Sequence, residues 1–377
     1  MRRINQNVLV VIFALLLVSC GGTTAPSAPT AGAAPTTAAA TAGAAPTTAA
    51  ATAEAAPTTA AATAEATAAA APSGEAFKVA IVMPSTITDL AWSQAMYDAL
   101  VRVQKQMGGE AALKISYSEN MFNVTDAAAA LRDYASQGNN LVIAHGTQYG
   151  TSLFDIAPDF PEVAFAWGTA TDTGAAKGLK NVFAYNAKAE EGGFINGVIA
   201  AVLSKSGKVG VIGPVEAGDA KAYIDGFGNG VLSVNPKATV SKIYTGSFGD
   251  TAKAAEAANT QISAGADVLT GSAQQVVGAI GVAKERSIPW LGTQSDQSSL
   301  APNLVVASQV YDWVGTLNDM IAKIKSGTVG GTAYDLTLAN GGLKIVFNPQ
   351  YKLPPEVQTA VDAALKGIKD GSVKVLP

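Results

Sequence analysis

Cysteine and histidine are almost missing from this chain: each occurs once in 377 residues. With Cys20 alone there is no disulfide, and the body of the chain has neither a thiol nucleophile nor a thiolate metal site. With His145 alone there is no paired-histidine zinc helix. No G-x-S-x-G turn occurs either, so a serine-hydrolase elbow is missing. Charge is scarce at 14 % and its balance is acidic, 29 Asp and Glu against 25 Lys and Arg. Setting aside Arg2 and Arg3 leaves 23 against 29, a net −6. Nucleic-acid binders usually show a basic patch, so this balance gives no support to that class of partner. Long hydrophobic runs are missing as well. The run from Val8 to Val18 has eleven residues, and a membrane span needs roughly 20.

What is present begins with a leader. Arg2 and Arg3 precede the short apolar run, the pattern of a secretory signal over residues 1–19. It ends in Leu17-Val18-Ser19-Cys20, which resembles a bacterial lipobox. The resemblance implies lipidation at Cys20, which becomes the first mature residue. From 21 to 74 the composition collapses to Ala, Thr, Pro and Gly, with Pro35, Pro46 and Pro57 recurring every eleven residues. These repeats hold almost nothing large to bury, so they are expected to form a disordered tether rather than a solenoid. Such a tether lifts a folded body off a membrane.

From Phe77 onward strand and helix patterns alternate. Phe77 to Val101 opens the series with a buried strand, a polar turn and a helix carrying Trp92, Ala95, Met96, Ala99 and Leu100 at helical spacing. Further strands are expected at 113–117, 141–144, 163–167 and 181–184, with helices near 125–137 and 150–158. The pattern then repeats. A helix over 190–203 leads into strands at 208–212, 239–244, 267–270 and 288–292, separated by helices over 219–233, 251–264 and 275–284. An extended run at 305–310, a helix over 313–324, a β-like segment over 334–346 and a helix over 355–369 close the chain. Such alternation means parallel, doubly wound sheets. The expected fold is α/β with two lobes, the first from 75–185 plus 305–328, the second from 186–304 plus 329–377.

In such sheets ligands bind at loops following the carboxyl ends of strands. The first of these loops and its helix offer Asp89, Trp92 and Ser93. Later loops offer Glu119, His145, Gly146, Tyr149, Trp167, Gln274, Gln294, Asp296 and Tyr311. These twelve are the candidate ligand-binding residues. Several have plainer roles open to them: Asp89 as a helix cap, Trp92, Tyr149 and Trp167 as core, His145 as a buried hydrogen-bonding group. Lys221 is the only basic residue near any of the loops. A phosphate or carboxylate ligand would normally recruit arginine or a helix N-terminus with lysine. Hydroxyls, amides, carboxylates and rings suit a neutral solute with a flat ring and hydroxyl groups. The run Gly226-Phe227-Gly228-Asn229-Gly230 lies within an expected helix rather than after a strand, so it is not a nucleotide loop.

From Phe77 to about Asp370 the chain resembles the basic membrane protein family of ABC-transporter substrate-binding lipoproteins, which includes the purine-nucleoside receptors. The segments YASQGNNLVIAHG, APDFPEVAFAWG, NVFAYNAKAEEGGFINGVIAAVLSKSGKVGVIGPVE and LGTQSDQSSLAPNLVVASQV carry the likeness. The family's first loop typically reads Asp-Lys-Ser-Phe-Asn; here it is Asp89, Leu90, Ala91, Trp92 and Ser93. Its Asp-Ser-Asp-Gln appears here as Gln294-Ser295-Asp296-Gln297, and a common lysine is replaced by Tyr311. The resemblance implies a type I periplasmic-binding-protein fold, hinged at segments near 184–187, 303–311 and 328–334. It also implies capture of a nucleoside-like solute, with Trp92 stacking on the ring.

The expected protein is thus a non-catalytic, monomeric receptor without cofactor or metal. It is anchored by lipid on the outer face of the membrane and hands its solute to a permease and its ATPase. Uptake of another neutral metabolite, or a sensory receptor on the same fold, remains an alternative.

Overall fold

The computed structural model describes residues 74–376. The leader, Cys20 and nearly all of the tether lie outside the described residues. Twelve strands and nine α-helices follow in chain order among the described residues. The first lobe is built from β1 (Phe77–Val82), α1 (Trp92–Met107), β2 (Leu113–Ser118), α2 (Val124–Ser136), β3 (Leu141–Ala144), α3 (Gly150–Ile156), β4 (Ala164–Gly168) and β5 (Val182–Ala187). The second takes α4 (Ala189–Leu203), β6 (Lys208–Gly213), α5 (Gly218–Val234), β7 (Thr239–Tyr244), α6 (Thr251–Ser263), β8 (Val268–Gly271), α7 (Val276–Arg286) and β9 (Trp290–Gln294). The chain then passes through β10 (Val305–Tyr311), α8 (Val314–Lys325), β11 (Ala333–Leu336), β12 (Leu343–Phe347) and α9 (Pro355–Lys369).

Each lobe has one six-stranded sheet, ordered β11-β5-β4-β3-β1-β2 in the first and β12-β10-β9-β8-β6-β7 in the second. Every pairing is parallel except that of β12 with β10. Both lobes therefore share the flavodoxin-like order in which the second strand lies outside the first. The order reverses between β1 and β3, and again between β6 and β8. Ligands bind outside the carboxyl ends of strands at such a reversal.

The late strands do not follow the division expected from sequence. β10 belongs to the second sheet, not to the first lobe, because it inserts between β9 and β12 with six of its seven residues buried. The segment 334–346 is not one strand: it breaks at Asn340-Gly341-Gly342, where Asn340 caps the turn through Thr337 N. β11 then completes the first sheet and β12 the second. Helix α8 packs beside α1, and α9 beside α4. The chain thus crosses between lobes at Lys188, at Asp312 and Trp313, and over 337–342, each a few residues beyond the segments expected to cross.

Two examples show why these residues form these elements. Helix α1 buries Trp92, Ala95, Met96, Ala99, Leu100 and Val103 on one face, each large apolar side chain contributing about 1.5–3 kcal/mol. It stops at Gly108, whose φ of 112° only glycine adopts easily. Helices α4 and α5 meet through glycines. A Cβ on Gly197 would lie 2.1 Å from Phe227 O, and one on Gly230 would lie 2.1 Å from Phe194 O. The glycine run in α5 is therefore a packing surface that lets two backbones touch.

Candidate functional site

Between the lobes lies a cavity of about 360 Å³. Its wall comes from the carboxyl ends of strands, the loops that follow them and the helix turns they lead into. Pro84 and Trp92 follow β1, Phe122 and Val124 follow β2, Gly146, Thr147 and Gln148 follow β3, and Thr169 follows β4. From the second lobe come Val215, Ala217, Asp219 and Ala220 after β6, Phe248 after β7, Ala273 and Gln274 after β8, and Gln294 as the last residue of β9. A hollow of about 540 Å³ near Ala76, Met107 and Lys325 sits at the amino end of β1, the end of a parallel strand that does not bind ligands.

Trp92 is anchored by a reciprocal exchange with His145. The indole Nε1–H donates to the carbonyl of His145 at 3.0 Å, and the imidazole Nε2 bonds the carbonyl of Trp92 at 3.0 Å. The two rings stack 4.2 Å apart and 5° from parallel. A carbonyl can only accept, so Nε2 carries the proton. Nδ1 then accepts from the Tyr185 hydroxyl at 2.7 Å. Full burial without a counter-charge pushes the His145 imidazole down to about 3. His145 is thus a neutral platform behind Trp92 rather than part of the cavity wall. Tyr311 and Trp313 meet Trp92 edge to face at 6.0 and 5.7 Å.

The structure brings four of the twelve expected residues to the wall: Trp92, Gly146, Gln274 and Gln294. The other eight have different surroundings. Asp89 accepts from the backbone amides of Ala91 and Gln94 with Oδ1, and of Ser93 with Oδ2, so it caps α1. Ser93 is fully buried in that first turn. Glu119 accepts from Ile87 N at 2.6 Å and ties the loop after β1 to the end of β2. Tyr149 is buried, donating to Met121 O. Trp167 donates to Gly146 O and rests on Phe154, which fixes the loop that carries Gly146. Asp296 is exposed and accepts from Ser298 N. Tyr311, like His145, supports the wall from behind.

One carboxylate on the wall was missed. Asp219, in the first turn of α5, is only 8 % exposed. Its Oδ2 accepts from the Tyr311 hydroxyl at 3.0 Å and from the Gln294 amide at 3.3 Å. Burial pushes its carboxyl up from the usual carboxylate range, against the pull of those two donors. In the sequence it looked like an ordinary acid at a helix start. Phe122 and Phe248 were missed as wall residues too. The loop after β7 comes close to Phe122, since a Cβ on Gly249 would lie 3.9 Å from the Phe122 ring, and the two phenylalanines remain 48 % and 37 % exposed.

Two further features mark this region. Among the described residues six non-glycine residues adopt left-handed backbone angles, and three of them, Thr169, Ala273 and Gln294, line the cavity. Such conformations cost about 1–3 kcal/mol each and collect at ligand sites. The lobes also touch beside the cavity: Ser295 Oγ donates to Ala91 O at 3.0 Å and Gln297 Nε2 to Leu90 O at 3.3 Å. Among the described residues no cluster of His, Cys, Asp and Glu could hold a metal ion.

Two doubly wound lobes, three crossings and a cleft of carboxyl-end loops define a type I periplasmic-binding-protein fold. A solute-binding protein from Conexibacter woesei shares it, with a TM-score of 0.65 at 24 % identity, covering 80 % of this chain and 99 % of that one. The chain belongs to the Bmp family, the ABC transporter substrate-binding proteins described as PnrA-like, whose model matches residues 76–374. A purine-binding protein of Brucella abortus is 29 % identical over 81 % of this chain and 84 % of its own length. Basic membrane protein A2 of Borrelia garinii is 28 % identical over 76 % of this chain and 84 % of its own. Proteins of this family work outside the cytoplasm and bind small solutes for an ABC permease.

Proposed function

We propose that this chain is the solute-binding lipoprotein of an ABC importer and that it holds a nucleoside, or a close relative with a flat ring and hydroxyl groups, between its lobes. The observation that carries this reading is the cavity wall. Trp92, Phe122 and Phe248 supply three rings drawn from both lobes, Thr147, Thr169, Gln148, Gln274 and Gln294 supply hydroxyls and amides, and no Lys, Arg or His is among the lining residues. The volume falls in the usual range for small-molecule clefts, roughly 300–1,000 Å³. Stacking contributes about 1–3 kcal/mol per base, and each hydrogen bond left unmade in the closed cleft costs about 1–3 kcal/mol. The purine-binding relative supports the ring assignment.

A solute that bridges both walls favours the form in which Ser295 and Gln297 reach the first lobe, and that closed form is what the permease reads. Cys20 holds the protein on the outer face of the membrane, and residues 21–74 let it reach. Replacing Cys20 with Ala should release the protein in soluble form. The solute assignment is tested by mass spectrometry of small molecules released from natively purified protein, followed by calorimetric titration. At least one nucleoside or nucleobase should bind; a panel of nucleosides, bases and ribose without heat of binding would overturn the reading.

A further inference from the structure

Asp219 is the one ionisable side chain among the residues that line the cavity, and nothing positive answers it. Lys221, two residues along α5, is paired with Asp225, which also takes Lys242. Tyr311 and Gln294 give Asp219 hydrogen bonds but no charge. Both bonds fall on Oδ2. Gln294 itself has a buried carbonyl oxygen, Oε1, with no hydrogen-bond partner. Two hydrogen-bonded wall residues therefore both carry acceptor oxygens, one of them a carboxylate, where the wall offers no cation. An arrangement of this kind asks the solute for hydrogen-bond donors and repels a second negative charge.

We propose that Asp219 sets the charge selectivity of the cleft: it admits ring-bearing solutes that present a neutral or cationic donor beside Gln294, and excludes the same rings carrying phosphate or carboxylate. This rests on the reading that the inter-lobe cavity is the solute site. Two like charges about 6 Å apart at a partly buried site weaken binding on the order of 100-fold. The neutral aromatic surroundings sharpen the effect. Trp92, Phe122 and Phe248 can face a cation as well as a flat ring, so a cationic ring loses nothing by entering.

The groups around Asp219 that titrate are few. Tyr311 of β10 bonds it directly, Tyr223 lies one turn along α5 with its hydroxyl on Thr270, and Glu216 and Lys221 flank it in sequence. His145 stays neutral behind Trp92. Burial favours the protonated acid, so the stability of the unliganded protein should fall as pH rises from about 4 through the raised value of Asp219. Asp219→Asn should remove that component.

The test titrates the full soluble chain and its Asp219→Asn and Asp219→Ser variants with matched probes: adenosine, adenosine 5′-monophosphate, guanosine, guanosine 5′-monophosphate and 1-methyladenosine, which is cationic. The native protein should bind the phosphorylated members at least 100-fold more weakly than the nucleosides, and both variants should narrow that gap at least tenfold. An unchanged gap in the variants, or a nucleotide bound as tightly as its nucleoside, overturns the proposal. If no probe binds, the nucleoside reading fails, and the pH dependence of unfolding then decides separately. A stability difference between the native protein and the Asp219→Asn variant that has stopped changing by pH 7 upholds an ionised carboxylate in the cleft; one still falling through pH 7 means that the folded protein keeps the acid protonated there, and overturns it.

Discussion

His145 and Trp92 show how much of this site rests on single side chains. The imidazole is buried and neutral, with its ordinary value near 6.5 pushed down to about 3. Below pH 6.5 the unfolded chain takes up a proton that the folded chain refuses. The stability this group contributes is therefore fully present above pH 6.5 and is lost as pH falls from 6.5 toward about 3, at about 1.4 kcal/mol per unit. Chemical denaturation of the native protein and of His145→Gln between pH 7 and 4 should show a flatter acid limb in the variant; parallel limbs would mean that the imidazole charges without cost. Asp89 makes a contrasting case. With both carboxylate oxygens on α1 amides, Asp89→Ala should cost about 1–2 kcal/mol of stability with little direct effect on solute contact. Sequence position after a strand was enough to find Trp92, Gly146, Gln274 and Gln294. It could not say which way a side chain points, because one residue of register reverses the face. That is why His145 and Tyr311 stand behind the wall, and why Asp219 and Phe122 went unnoticed on it.

Among the elements, the alternation of strand and helix was legible almost throughout, since buried parallel strands are short apolar runs and the helices carry a clear apolar stripe. The exceptions have physical causes. The 334–346 segment reads as continuous β pattern, yet its two halves serve different sheets, a partition that depends on tertiary pairing rather than on local pattern. The glycines of α4 and α5 carry no apolar stripe of their own, yet they let the two helices pack backbone against backbone. Gly197→Ala places a methyl 2.1 Å from Phe227 O, within hard backbone, so the helices must separate. A loss of at least about 1–3 kcal/mol is expected, read as a lower midpoint in urea with an unchanged slope. Gly281, where an added Cβ meets nothing within 4 Å, provides the control, and its Ala variant should be as stable as the native protein or more so.

At the scale of the whole molecule, the lobes meet through few polar contacts beside the cavity. Ser295 and Gln297 donate to the carbonyls of Ala91 and Leu90 at the start of α1. Each such bond contributes about 0.5–1.5 kcal/mol. The double variant Ser295→Ala, Gln297→Ala should therefore favour the open form and weaken solute binding about tenfold, with a larger radius of gyration in small-angle scattering at subsaturating solute. Unchanged affinity and scattering would show that closure does not depend on this contact. The claim beneath all of this is that a flat-ringed solute stacks on Trp92 inside the inter-lobe cavity. Calorimetric titration of the native protein and Trp92→Ala with the nucleoside that binds best tests it most directly. The account predicts at least a tenfold loss of affinity in the variant, in line with the roughly 1–3 kcal/mol that stacking contributes; equal affinity in the two proteins, both folded, would contradict it.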